Sequence, residues 1–159
     1  MKRLLIAATC LAAVSTGAHA GDSYDAGGVG KGTNKTSVVV VREGHMLMNS
    51  ISTYTGYEAS DPKNPMNGMT GTCRGAIELK VPSATGQGHC EFTAKNGDKQ
   101  ISTWVATGVA KSGAITGTWT HVGGTGRYQG ATGGGTFHSL TDRKTGTFVN
   151  TVKGAILLN

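Results

Sequence analysis

The sequence predicts an all-β protein: a single antiparallel, roughly eight-stranded β-barrel with a disordered N-terminal lead-in. Three observations carry this expectation. Apolar and polar residues alternate with the period of a strand along most of the chain, and no stretch keeps the period of a helix. Turn signals recur at the spacing of a meander, with Asn96-Gly97, Ser112-Gly113 and the segment from Asp142 to Gly146. Glycine supplies seven of the fifteen residues of GGTGRYQGATGGGTF, Gly123 to Phe137, a composition that suits a tight corner in a curved sheet.

The first residues form a different kind of segment. Lys2 and Arg3 precede an apolar run from Leu4 to Val14, and Ala18-His19-Ala20 has the pattern of a cleavage site. Residues 1–20 are therefore expected to be a signal peptide, and the protein is expected to be secreted or periplasmic. The run is too short to span a bilayer, and no later segment approaches about 20 apolar residues. Loss of Lys2 and Arg3 lowers the formal charge from +6 to +4. The remaining lysines are scattered and give no basic face for a nucleic acid. Cys10 falls in the leader, leaving Cys73 and Cys90, an even pair that predicts a disulfide in an exported chain. Closing a loop of about 16 residues contributes on the order of 3 kcal/mol.

Residues 21–35 are rich in glycine and polar side chains and are expected to be a flexible lead-in to a barrel domain spanning 36–159. Thr36 to Arg42, with four consecutive valines, reads as a buried strand. After Glu43-Gly44 the strand pattern resumes from His45 to Tyr57, so the two pieces form either a hairpin or one bulged strand. Glu58 to Gly71 holds two prolines among Asp, Asn and Gly and is the longest expected loop. Further strands are expected at Thr72–Val81, Gly88–Lys95, Lys99–Thr107, Ala114–His121, Gly134–Thr141, Thr145–Val152 and Ala155–Leu158.

Alternation assigns the faces. Ile77, Leu79 and Val81 share one side, as do Ile101, Thr103 and Val105, and Ile115, Gly117 and Trp119; these are the expected interior. Cys73 and Cys90 have inward parity. A hairpin turning between Ser83 and Gln87 sets Cys90 opposite Leu79, about 20 Å from Cys73. The disulfide then needs either a shifted register or a link across the barrel.

Candidate chemistry is sparse. Gly124-x-Gly126 begins a dinucleotide fingerprint, but Gly130 comes one residue late and no helix follows. His121 and His138 flank the glycine loop, and at one barrel end they would serve as acid or base near neutral pH. Partly exposed strand-end histidines are the plainer reading. Met46, Met48, Met66 and Met69, with His45, form a soft-ligand set suited to copper(I), although core packing explains two of them and a loop holds the others. The acidic residues, Glu43, Glu58, Asp61, Glu78, Glu91, Asp98 and Asp142 among them, fall mostly in turns or on polar faces without pairing. No metal site and no cofactor is expected.

The run TGTWTHVGGTGRYQGATGGGTF resembles the glycine signature of the allene oxide cyclase barrel-like group, to which plant dirigent proteins are also similar. Gly123, Gly124, Thr125, Gly126, Tyr128, Gly130, Ala131, Gly133, Gly135 and Phe137 carry it. Gly88, Cys90, Gly97, Asp98 and Trp104 look like those of small exported bacterial members of this type. The resemblance covers about half of residues 21–159. It implies an eight-stranded barrel, often oligomeric, with a cavity at its mouth that admits one small ligand. No catalytic residue of the plant enzymes has a matching motif here.

Three functions follow as expectations. The first is an exported barrel that binds a small hydrophobic molecule or a partner without turnover, with His121, His138 and Tyr128 as candidate ligand contacts. The second is an isomerase or cyclase acting in the cavity. The third is a structural or surface-interaction module, whose sign is an exposed apolar patch.

Overall fold

The computed structural model describes residues 21–158, so the expected signal peptide lies outside the described residues. Nine strands follow one another: β1 Asp22–Asp25, β2 Gly28–Arg42, β3 His45–Ala59, β4 Thr70–Lys80, β5 Ser83–Thr93, β6 Lys99–Val109, β7 Ile115–Gly124, β8 Thr132–Thr141 and β9 Thr147–Leu158. A single 3-10 turn, Gly126–Tyr128, interrupts the glycine loop. Each strand pairs antiparallel with the next from β2 to β9, and β9 returns to β2, closing the ring. β1 lies on β9 in the register that β2 keeps, Asp22 opposite Leu158 and Gly28 opposite Val152. The wall is therefore eight strands around, with β1 as a short extension of β2 beyond a break at Ala26-Gly27.

The two ends of this barrel differ. One, the floor, gathers the loop of residues 60–69, the turn at 94–98 and the 3-10 turn. The other, the rim, carries the four hairpin turns at 43–44, 81–82, 110–114 and 142–146. The floor is sealed by a buried cluster that includes Tyr57, Met66, Met69, Trp119, Tyr128 and Ile156. Asn64 pins the 60–69 loop: its Nδ2 donates to the Asp25 carbonyl at 2.5 Å, and its Oδ1 accepts from the Met66 amide at 2.9 Å. Tyr128 is fully buried, so the glycine loop folds inward as a plug. Phe137 belongs instead to the wall, its ring edge-on to Trp104 with centroids 6.2 Å apart.

Four expectations need correction. Residues 21–35 are not a flexible lead-in but form β1 and the first half of β2. Composition misled because the glycines there are seats for rings: a side chain at Gly28 or Gly30 would collide with Tyr57 or Tyr54, and Gly32 lies against Phe148. Backbone pairing to β3 and β9 on both sides offsets the ordering entropy that the missing side chains cannot.

Thr36–Arg42 is a strand but is not buried. β2 loses β9 after Thr33, opposite Thr147, and continues beside β3 alone. Val38 to Val41 consequently stand 48–66 % exposed.

The interior face of β6 is also inverted. Ile101 and Val105 point outward, while Gln100, Ser102 and Trp104 line the inside. A barrel enclosing a cavity does not require its driest face inward.

The fourth correction concerns register. The β4–β5 turn is Val81-Pro82, with Lys80 opposite Ser83, so Cys73 sits directly across from Cys90. The disulfide is formed between them, with Cα atoms 4.0 Å apart, and neither a shifted register nor a cross-barrel link is needed.

Candidate functional site

A cavity of about 840 Å³ runs through the barrel from the floor to the rim turns. Its lower part is bounded by Tyr57, Met66, Met69 and Trp119, and its upper part by Val38, Met46, Met48, Val81, Pro82 and Val109. Exposed Lys111 and Arg143 stand where it meets solvent. The walls are mostly apolar, the composition of a small-molecule site.

Trp104 owes its place to two glycines. Gly75 pairs with Gly88, and Gly88 with Trp104, so the indole lies flat over backbone that has no side chains. Atoms added at either glycine would meet its six-membered ring. Trp104 and Phe137 meet in a T-shape, as do Tyr54 and Phe92 at 5.0 Å and Tyr54 and Phe148 at 4.7 Å.

A polar band crosses this apolar wall. Asn150 donates from Nδ2 to the Tyr54 hydroxyl at 2.8 Å, and Ser52 donates to Asn34 Oδ1 at 3.3 Å. Gln100 reaches toward the floor, where its Nε2 lies 3.3 Å from His121 Nδ1. His121 Nε2 lies 3.1 Å from the Tyr128 carbonyl. A carbonyl only accepts, so the proton is on Nε2 and Nδ1 accepts from Gln100. That arrangement fixes the Gln100 amide and leaves its Oε1 without a partner; Asn150 Oδ1 is likewise unpartnered. The two residues are 2 % and 9 % exposed, and both line the cavity.

Burial holds the His121 imidazole below its ordinary pKa against the pull of the Tyr128 carbonyl. Desolvation pushes the Tyr54 phenol up to about 12, opposed by the Asn150 hydrogen bond, and Tyr57 is raised further. Among the described residues lining the cavity there is no Asp, Glu or His. Glu78, held low by hydrogen bonds from Lys80 and His45, and Glu91, held low by Lys99, lie on the outside of the wall.

His121, His138 and Tyr128 are not brought together as a group. His121 and Tyr128 meet at the floor, but as a hydrogen-bonded support beneath the cavity and not on its lining. His138 is near the opposite end of the β7–β8 ladder, paired with Thr116, its Nε2 3.4 Å from Ser112 Oγ. Met46 and Met48 line the upper cavity, while Met66 and Met69 close the floor, so the four thioethers are divided between its ends. Gln100, Asn150, Tyr54 and Ser102 carry no motif in the sequence. Their one signal is parity: Gln100 and Ser102 with Trp104 on β6, Tyr54 with Met46 and Met48 on β3, and Asn150 with Phe148 and Val152 on β9.

No family model matches the chain, and no curated protein matches it. Among solved structures, the pterocarpan synthase dirigent protein GePTS1 superimposes with a TM-score of 0.53 at 12 % identity, over 95 % of this chain and 99 % of that one. The fold is dirigent-like. At this identity the likeness extends to the barrel and not to any activity.

Proposed function

We propose that this dirigent-like barrel is an exported binding protein for one small, largely apolar molecule, held in the cavity without turnover. The molecule carries a hydrogen-bond donor at its leading end. The observation that supports this is the pair of unpartnered carbonyl oxygens, Gln100 Oε1 and Asn150 Oδ1, on two residues of a mostly apolar cavity wall. Both atoms are buried, so a ligand donor reaches them as the side-chain amides turn toward the cavity. A buried acceptor without a partner costs about 1–3 kcal/mol, which a ligand hydroxyl recovers. Binding is favoured over cyclase chemistry because the lining offers tyrosines shifted away from neutral pH and no carboxylate or imidazole. The Cys73–Cys90 disulfide supports residence in an oxidising compartment.

2-Naphthol and 2-methoxynaphthalene share an aromatic body and differ in the donor. Titrated against the fluorescence of Trp104 and Trp119, naphthol is expected to bind roughly 10-fold more tightly. Equal affinities, or no binding of either, would overturn the reading. Native mass spectrometry of protein from its own host then tests for a retained ligand.

A further inference from the structure

The rim half of β2 is an open sheet edge. Asn34 donates its amide to the Gly146 carbonyl at 2.7 Å, the last contact of β2 on the β9 side. Backbone direction alternates along a strand, so Thr36, Val38 and Val40 also turn their N–H and C=O groups to that side, where none has a partner among the described residues. Between Asn34 and Val40 the pairing with β3 is regular, which keeps the alternation intact. Edges of this length are ordinarily blunted by proline, an inward charge or a covering loop, and TSVVVV has no proline or charge.

We propose that this edge pairs with the same edge of a second copy, joining two barrels through antiparallel β2 strands related by a twofold axis at Val39. The occupant is argued from register and charge. Only registers that set outward-facing residues opposite one another form an antiparallel ladder, which confines the sum of paired residue numbers to even values. Centred on Val39, the ladder places Val38 opposite Val40 and brings Lys35 of one copy to the Glu43 turn of the other. Both side chains are exposed, and neither is in an ion pair among the described residues. The register one step away, which would set Lys35 against Arg42, is excluded by parity. On the outer face the twofold continues an apolar strip of Val39 and Leu47, both exposed. Each copy spends the same edge, so the assembly closes at two and does not grow.

Sedimentation velocity across a dilution series tests this, read together with hydrogen exchange of the Thr36, Val38 and Val40 amides. The expected result is a monomer–dimer equilibrium in which those three amides gain protection as concentration rises. Val39→Lys is expected to weaken the dimer more than about 30-fold, by setting two ammonium groups at the axis. Lys35→Glu and Glu43→Lys each weaken it roughly 5-fold, and the double exchange restores it. A monomer at every soluble concentration would overturn the proposal. So would a dimer that survives Val39→Lys with the three amides unprotected, which moves the interface to the outer wall around Leu140 and Val149. Should Val39→Lys fail to fold, the charge exchange alone decides: no restoration by the double variant rejects the register.

Discussion

The two halves of β2 are made by one continuous strand and have opposite fates. Its first half, Gly28 to Thr33, is paired on both sides, and its glycines receive the rings of Tyr54, Tyr57 and Phe148. Its second half has stronger β-forming side chains, yet it is paired on one side only and leaves four valines in solvent. Propensity therefore does not decide burial here; what the neighbouring strands supply does. The same contrast separates the barrel's ends, a floor sealed by packing and hydrogen bonds and a rim left open above the cavity.

Substitutions on the floor are expected to cost far more stability than substitutions at the rim. Tyr128→Ala removes a fully buried ring from the plug and is expected to cost about 3 kcal/mol by chemical denaturation. An unchanged midpoint would mean the loop does not seal the barrel. Replacing both Cys73 and Cys90 by alanine comes next, with about 2–3 kcal/mol lost through the freed unfolded chain.

His121 gives a smaller, pH-dependent effect. Its folded-state pKa lies below the ordinary 6.5, so the unfolded chain binds more protons as the solution is acidified. The contribution of the neutral imidazole is fully present above about pH 7, begins to be lost as pH falls past the unfolded pKa, and is gone once pH has fallen through the lower folded one. His121→Gln is expected to flatten that acid limb in a series of melts, and an unchanged limb would place its cause elsewhere. Val39→Lys, at the rim, is expected to shift the stability of the single barrel by no more than about 0.5 kcal/mol. A loss comparable to Tyr128→Ala would erase the contrast between the ends.

The barrel class was legible because its turns announce themselves: Gly97, Gly113 and Gly146 adopt the left-handed φ values that their dipeptides and loops predict. Val81-Pro82 has no glycine or asparagine, and overlooking it displaced the register enough to separate Cys73 from Cys90. The glycine signature pointed to a barrel, which the strands form. The cavity was less legible. Reading the apolar side of β6 as interior hid Gln100 and Ser102, because alternation reports which face differs and not which face is enclosed. The floor role of His121 needs residues distant in sequence, Gln100 and Tyr128, and no local pattern carries it.

The central claim is that Gln100 Oε1 and Asn150 Oδ1 select a donor-bearing ligand. It is tested most directly by repeating the naphthol and methoxynaphthalene titrations on a Gln100→Leu, Asn150→Leu double variant whose fold is verified by circular dichroism. The ratio of the two affinities is predicted to fall from about 10 to near 1, with methoxynaphthalene bound at least as tightly as before. A ratio that stays near 10 in the double variant would contradict the account.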